Sequence, residues 1–163
     1  MARLGDSMEW IVRMGEYVMS DKEGDVIRTF ALASCVAVAA YSPRRKAAGM
    51  IHVVLPSPLD DRDKEKRPGY FAETGVPLLV NTMCAKYGCM KEELHIQIYG
   101  GADSIRQQDI YHIGKKNIDA VKYALLHMGL TIHRADLRGN ESRTISLEVK
   151  TGSVEVLRQP IIR

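Results

Sequence analysis

The spacing of apolar residues along the chain predicts a mixture of strands and helices. Short runs in which apolar residues alternate with polar ones, or follow one another without a break, are typical of strands. Such runs occupy residues 10–14, 26–30, 36–41, 47–55, 94–99, 130–137, 145–149 and 154–156. Runs 36–41 and 47–55 flank a turn that contains Pro43, so we expect them to form a hairpin, and the last two runs predict another.

Two longer stretches carry apolar residues at the three- and four-residue spacing of a helix face. The first covers residues 76–87 and is followed by Gly88, a favoured helix stop. Proline is tolerated only in the first turn of a regular helix, so Pro77 means that this helix either begins near Gly75 or carries a kink. The second stretch covers residues 113–128.

A charged segment, residues 56–68, separates the first predicted hairpin from the first helix. Its composition is typical of a mobile, solvated surface loop. Because it directly follows the strand that carries His52, it is also a candidate lid or substrate-contacting loop.

Length and composition indicate one ordinary globular domain. A chain of 163 residues with 45% hydrophobic residues fits a single α/β or α+β domain spanning residues 1–163. The pattern predicts about seven strands and two helices. A net charge of +3, with acidic and basic residues interspersed, argues against a nucleic-acid binder. No apolar run is long enough to span a bilayer, and no signal peptide is recognised.

The three cysteines indicate a reducing, cytoplasmic setting. An odd number does not suit a disulfide framework. Cys84 and Cys89 lack the spacing of a zinc knuckle, so no metal is expected. We expect Cys84 to lie in the core and Cys89 to be partly exposed at a helix end.

Cys35 and His52 form a candidate nucleophile and base. Antiparallel strands fold back on each other, so the predicted hairpin brings the end that carries Cys35 close to His52. A thiol is mostly protonated at neutral pH, and a neighbouring imidazole can remove its proton. Thr29 offers a hydroxyl that can orient the imidazole. The alternative is that Cys35 is an ordinary core residue and His52 a hydrogen-bonded strand residue.

Small residues near Cys35 predict room for a substrate. Ser34 and the neighbouring alanines permit close approach, and backbone N–H groups at this corner can face a developing oxyanion. Gly100 and Gly101 interrupt the chain after a predicted strand and are candidates for the same neighbourhood. As a motif alone, Gly-Gly is equally typical of a tight turn.

Taken in order, several segments resemble the CheD family of bacterial chemoreceptor glutamine deamidases. The resemblance covers about residues 14–156. Its specific part is Ser-Cys-Val-Ala-Val at 34–38 combined with His-Val-Val-Leu-Pro at 52–56. The other segments that carry it are 15–17, 32–33, 100–102, 113–117 and 139–140.

The resemblance implies both a fold and an activity. The implied fold is a layered α/β sandwich with a mixed β core and flanking helices, similar to toxin glutamine deamidases. The implied activity is hydrolysis of glutamine side-chain amides on the cytoplasmic domains of chemoreceptors, without a cofactor. Carried over to this sequence, Cys35 matches the nucleophile, His52 the base and Thr29 the orienting hydroxyl. A CheC-type phosphatase is an implied second partner. From the charge and the apolar runs of the sequence, we expect this protein neither to bind nucleic acid nor to insert into a membrane.

Two departures from the family pattern and two other interpretations stay open. Ala33 stands where the family usually has glycine, and Arg138 stands where a second glycine often precedes the Asn140 position. A non-enzymatic adaptor that binds receptors or a CheC-type phosphatase is the main alternative, with Ile105 as a candidate docking residue. A redox sensor built on Cys35 is the other.

Overall fold

The structure, a computed structural model, describes residues 7–103 and 111–161, which form two β-sheets and a layer of helices. The strands are β1 (Glu9–Ile11), β2 (Tyr17–Ser20), β3 (Val26–Leu32), β4 (Val36–Ser42), β5 (Ala47–Val53), β6 (His95–Gly100), β7 (Ile132–Leu137), β8 (Glu141–Glu148) and β9 (Val154–Pro160). The helices are α1 (Asp61–Lys66), α2 (Ala72–Tyr87) and α3 (Ile113–His127), and short 3-10 turns occupy Pro68–Tyr70 and Lys91–Glu93.

Both sheets are mixed. The five-stranded sheet has the order β2-β5-β4-β6-β7, with β6 and β7 parallel. The four-stranded sheet has the order β1-β3-β8-β9, with β1 and β3 parallel. Helices α2 and α3 cover one face of the five-stranded sheet, and the four-stranded sheet packs on the other face. The predicted layered α/β sandwich with a mixed β core and flanking helices is confirmed.

Strand β4 contributes to two hydrophobic cores at once. Val36 and Val38 pack against the helices, whereas Ala37 and Ala39 face the four-stranded sheet. Both faces of the central strands are therefore covered, and every residue of β4 and β5 is buried. This burial explains why these strands contain long apolar runs without the strict alternation of a half-exposed strand.

The first predicted hairpin is confirmed and fixes the position of the candidate base. Strands β4 and β5 pair antiparallel, with Ala37 opposite His52. His52 therefore lies on the face of the five-stranded sheet that packs against the four-stranded sheet. The hairpin predicted at the end of the chain is also confirmed, as β8 and β9 pair antiparallel.

The prediction of about seven strands and two helices was wrong in number. The described residues contain nine strands and three α-helices. Strand β2 was missed because it is a short edge strand that depends on backbone pairing with β5, Tyr17 lying opposite Ile51. The first strand ends at Ile11, earlier than predicted. Val12 is buried beyond its end, whereas Met14 is exposed.

The prediction that residues 56–68 form only a loop was also wrong. Helix α1 occupies part of that segment, and its N-cap Asp60 accepts a hydrogen bond from the Asp63 backbone N–H at 2.8 Å. An aspartate N-cap and acidic residues in the first turn favour a helix start. No residue of α1 is buried, so local interactions rather than packing account for this helix.

The two longer helices are confirmed with shifted ends. Helix α2 begins at Ala72, so Pro77 lies inside it, and Gly88 caps it in the left-handed conformation with a φ of 69°. Cys89 is buried beyond that cap, contrary to the expectation of partial exposure, and Cys84 is only half-buried. Within the described ranges, no helix is long and apolar enough to cross a membrane.

Candidate active site

Thr29 and His52 meet between the two sheets. Thr29 belongs to β3 in the four-stranded sheet and is fully buried, while His52 belongs to β5 and is 5% exposed. Their side chains approach to 2.8 Å between Thr29 Oγ1 and His52 Nδ1. The fold therefore brings these two side chains within hydrogen-bonding distance.

The hydroxyl of Thr29 determines which imidazole nitrogen carries the proton. Thr29 Oγ1 donates its one proton to the Val12 carbonyl oxygen at 2.6 Å, and a carbonyl can only accept. Toward His52, the same oxygen must therefore accept, so Nδ1 carries the hydrogen. The lone pair of His52 lies on Nε2, which is buried and has no hydrogen-bond partner in the part of the chain that the structure describes.

The backbone of His52 is held from the opposite side by the turn that precedes β2. Gly15 N–H donates to the His52 carbonyl at 2.8 Å, and His52 N–H donates to the Glu16 carbonyl at 3.1 Å. Gly15 has a φ of 78°, and a Cβ at this position would come within 2.9 Å of Tyr70 Cδ1. Glycine therefore allows the close approach that fixes the strand of the candidate base.

A β-bulge in β3 separates Thr29 from the segment that leads to Cys35. Thr29 pairs with Ile145 and Leu32 pairs with Arg143, so one extra residue lies on the β3 side. Ala31 adopts a φ of 51° within this bulge. A bulge changes which face the following residues point to. Thr29 and Leu32, three residues apart, are both buried as a result.

Cys35 lies immediately before β4, diagonally across the hairpin from His52. Ala37 is directly opposite His52, and diagonal neighbours in a sheet remain close enough for side chains to interact. Cys35 packs against the cluster between the two sheets, the same side on which His52 lies. No hydrogen bond joins its thiol to Nε2 in the described structure.

The turn after β6 supports the backbone of Cys35. Gly101 N–H donates to the Cys35 carbonyl at 2.8 Å. Gly100 has a φ of 112°, and a Cβ there would overlap the Cys35 carbonyl oxygen. The Gly101 N–H is thus already bonded and is no free oxyanion donor, whereas the Cys35 N–H has no partner among residues 7–103 and 111–161.

A buried asparagine on α3 bridges the two halves of the site, and sequence reasoning did not identify it as a site residue. Asn117 Nδ2 donates to the carbonyl oxygens of Ser34 and Val54, both at 2.9 Å. The residue is fully buried. The available signal was a polar residue on the apolar face of α3, one turn before Val121.

Burial keeps both candidate catalytic groups neutral in the resting protein. It raises the pKa of the Cys35 thiol to about 11. It lowers the pKa of the His52 imidazole to about 4, although the nearby Val12 carbonyl acts in the opposite direction. Near neutral pH the site therefore holds a thiol and an unprotonated imidazole, the protonation states needed for a nucleophile and a base that act together.

Comparison with known proteins identifies the family of the chain. A family model described as CheD chemotactic sensory transduction matches residues 54–158. The chain belongs to the CheD family. A relative from Syntrophotalea carbinolica, named a probable chemoreceptor glutamine deamidase CheD, is 45% identical over 90% of this chain and 91% of its own length. The chemoreceptor glutamine deamidase CheD of Thermotoga maritima is 36% identical over 91% of each chain.

A solved structure offers a more distant likeness. The Bacillus licheniformis hypothetical protein YfiH is 14% identical, with a TM-score of 0.49 over 76% of this CheD-family chain and 49% of the YfiH chain. A likeness at that level carries no argument about chemistry. The family assignment rests on the family model and the sequence relatives.

The two departures from the CheD pattern are both accommodated. Ala33 has no positive φ, so its methyl group adds no backbone strain. Arg138 does adopt a φ of 70°, a conformation that favours glycine, and its side chain forms an ion pair with Asp103 at 2.7 Å. The turn near Asn140 is thus formed without a second glycine.

Ile105 lies outside the described residues, so the docking role suggested for it stays a prediction. Ser34 lies beside Cys35 and is half-buried. Within the described ranges, no group of three or more His, Cys, Asp or Glu side chains is placed to hold a metal ion.

Acid should destabilise this CheD-family protein through His52. Its pKa falls from 6.5 to about 4 on folding, so between these values the unfolded chain binds a proton that the folded protein does not. The stabilisation present above pH 6.5 is lost as the pH falls, by about 3 kcal/mol near pH 4. Urea unfolding over this range should show a weaker pH dependence for His52→Gln than for the wild type. The same dependence in both proteins would contradict the prediction.

The resting cysteine should be a thiol at neutral pH. Because burial raises the pKa of Cys35 to about 11, the thiolate fraction grows only as the pH approaches that value. The ultraviolet absorbance of the thiolate, taken as the difference between the wild type and Cys35→Ala, should be absent near pH 7 and rise in alkali. An absorbance step in the acidic range would instead mean a preformed thiolate–imidazolium pair.

Proposed function

We propose that this chain is a cysteine-dependent protein-glutamine deamidase that converts glutamine side chains of chemoreceptors to glutamate. The observation that carries the proposal is the buried Thr29–His52 hydrogen bond, which leaves the lone pair of His52 on Nε2 as a base diagonally opposite Cys35. Among the described residues, Nε2 has no hydrogen-bond partner. The names of the relatives support the reaction and the substrate class.

The first half of the reaction forms a thioester. His52 Nε2 takes the thiol proton as Cys35 Sγ attacks Cδ of the substrate glutamine, so a C–S bond forms and the carbonyl oxygen becomes an oxyanion. When this tetrahedral intermediate collapses, the C–N bond breaks. The imidazolium gives its proton to the departing nitrogen, which leaves as ammonia.

The second half regenerates the enzyme. A water molecule gives a proton to Nε2 of His52 and attacks the thioester carbonyl. The C–S bond then breaks, the imidazolium returns the proton to Cys35 Sγ, and the product is the carboxyl group of glutamate. Every proton that moves is carried by His52, so the cycle needs no cofactor.

Thr29 and the Cys35 backbone have supporting roles in this proposal. The Thr29 hydroxyl fixes the Nδ1–H tautomer and stabilises the imidazolium that forms, the role that a carboxylate has in other triads. The backbone N–H of Cys35 has no partner among the described residues, and it is the donor proposed for the oxyanion because it belongs to the attacking residue.

The same proposal extends to the cellular setting. Residues 1–163 would form one CheD-like deamidase domain, since β4 contributes to both hydrophobic cores. The substrates are cytoplasmic domains of chemoreceptors, so the protein acts in the cytoplasm. A CheC-type phosphatase is the second proposed partner, on the strength of the family resemblance.

Incubation with a cognate receptor cytoplasmic fragment should convert selected glutamines to glutamate. Mass spectrometry of the fragment measures the conversion, and Cys35→Ala should abolish it because no nucleophile remains. Cys84→Ala, which changes a half-buried cysteine away from the site, is the matched control and should retain activity.

A folded wild type that leaves every glutamine intact in several cognate receptors would refute the deamidase. Receptor binding that persists in both the wild type and Cys35→Ala, without conversion, would favour the adaptor interpretation. Rapid formation of sulfenic acid on Cys35 with peroxide, again without conversion, would favour a redox sensor.

Two replacements of Thr29 should distinguish the contribution of its hydroxyl group to the reaction from that of its branched shape. Thr29→Val keeps the branched side chain but removes the oxygen that holds His52 Nδ1, so kcat should fall by about 100-fold. Thr29→Ser keeps the hydroxyl and should stay within about tenfold of the wild type. Equal losses in the two variants would mean that packing, and not the hydrogen bond, is what the reaction requires.

A further inference from the structure

We infer that Asn117 is a positioning residue that sets the separation between the Cys35 nucleophile and the His52 base. The inference rests on the proposed function and names a group that the reaction scheme does not itself contain. The observation behind the inference is that one atom, Asn117 Nδ2, hydrogen-bonds to both active-site segments.

The two carbonyls that Asn117 bonds flank the two catalytic side chains. Ser34 directly precedes Cys35, and Val54 follows His52 by two residues, just past the end of β5. Both N–H···O distances are 2.9 Å. One nitrogen atom therefore limits how far these two segments can move apart, and no other side chain in the described residues bonds to both.

Helix α3 gives this bridge a fixed support. A Cβ at Gly114 would overlap the Ala102 carbonyl oxygen and lie 2.7 Å from that of Gly101, so the first turn of α3 rests directly on the turn that bonds Cys35. Asn117 lies less than one turn further along α3. Helix α3 thus contacts the nucleophile segment in two ways, through the turn at 101–102 on which Gly114 packs and through the amide of Asn117.

The two ends of the Asn117 side chain differ in their contacts. Asn117 Oδ1 is buried and has no hydrogen-bond partner in the described ranges. Among the described residues, the side-chain hydrogen bonds of Asn117 are therefore both made by its nitrogen, and both reach the segments that carry Cys35 and His52.

Asn117→Asp tests the inference with a side chain of nearly the same shape. A carboxylate has no hydrogen to donate to the carbonyls of Ser34 and Val54, and the protonated form, which burial favours, has only one. At least one of the two hydrogen bonds is therefore lost, and the two segments should separate. Misplacement of reacting groups by about 1 Å lowers a rate by about 100-fold. We expect a fall in kcat of that size on the receptor fragment, with KM unchanged within about threefold because substrate docking is untouched. Asn81→Asp, the same change at an exposed position of α2, is the matched control and should have wild-type kinetics.

Alkylation of Cys35 by iodoacetamide tests the same coupling without any receptor. In a chain that keeps Asn117, His52→Gln should slow alkylation at neutral pH by about 100-fold because the base that takes the thiol proton is lost. In the Asn117→Asp background, the same His52→Gln change should alter the rate by less than about threefold. Peptide mapping assigns the alkylation to Cys35, and thermal unfolding verifies that each variant is folded.

Retention of wild-type kcat by folded Asn117→Asp, or an undiminished effect of His52→Gln in that background, would overturn the inference. Asn117→Ser is the second variant if Asn117→Asp does not fold, with the same expected results. A wild type that does not deamidate receptors but keeps the coupling between Asn117 and His52 in alkylation would refute the proposed substrate and leave the positioning role standing.

Discussion

The geometry of the candidate site depends on the hydrogen bond between Thr29 and His52. It joins residues from different sheets across a buried interface, so the two sheets must pack at a spacing that brings these atoms to 2.8 Å. The bond also orders a proton chain from Nδ1 through the threonine hydroxyl to the Val12 carbonyl. Because that chain has one direction, the imidazole has one tautomer, with the proton on Nδ1 and the lone pair on Nε2. The packing of the two sheets thereby determines which imidazole nitrogen can accept a proton.

The proposed nucleophile, Cys35, is held in a different way, by contacts between backbone segments. The turn at Gly100 and Gly101 bonds the Cys35 carbonyl, and glycine is required there because a Cβ would overlap that oxygen. The turn at Arg138 in its turn contacts the Gly100–Gly101 turn. Arg138 N–H donates to the Gly100 carbonyl at 3.0 Å, and the Arg138 side chain forms an ion pair with Asp103. The imidazole of the proposed base is thus oriented by a side-chain hydrogen bond, whereas the carbonyl of the proposed nucleophile is held by a backbone hydrogen bond.

Sequence reasoning found the parts of the site that periodicity and turn chemistry encode. The hairpin of β4 and β5 could be predicted because its apolar runs flank a proline-containing turn, and its register then placed His52 near Cys35. Helix α3 followed from the spacing of its apolar residues. These features depend on neighbours within a few residues of each other, which is the range over which local patterns are informative.

The parts that could not be predicted depend on contacts between distant segments or on backbone atoms. The Val12 carbonyl, which orders the proton chain, carries no residue-specific signal, since every residue has a carbonyl. The bulge at Ala31 requires a positive φ at a residue that is not glycine, which only the surrounding structure can impose. Asn117 is 83 positions from Ser34 and 63 positions from Val54 along the sequence. Patterns of neighbouring residues cannot indicate contacts over such separations.

The neutral resting pair has an energetic consequence for catalysis. Burial raises the pKa of the Cys35 thiol and lowers the pKa of the His52 imidazole, so proton transfer from sulfur to nitrogen is unfavourable in the resting protein. In the proposed reaction, we therefore expect proton transfer to be coupled to C–S bond formation, so that the imidazolium forms as the oxyanion forms beside it. A site of this kind depends on the placement of its groups more than on their resting charge, and the Thr29 bond and the glycine turn both act on placement.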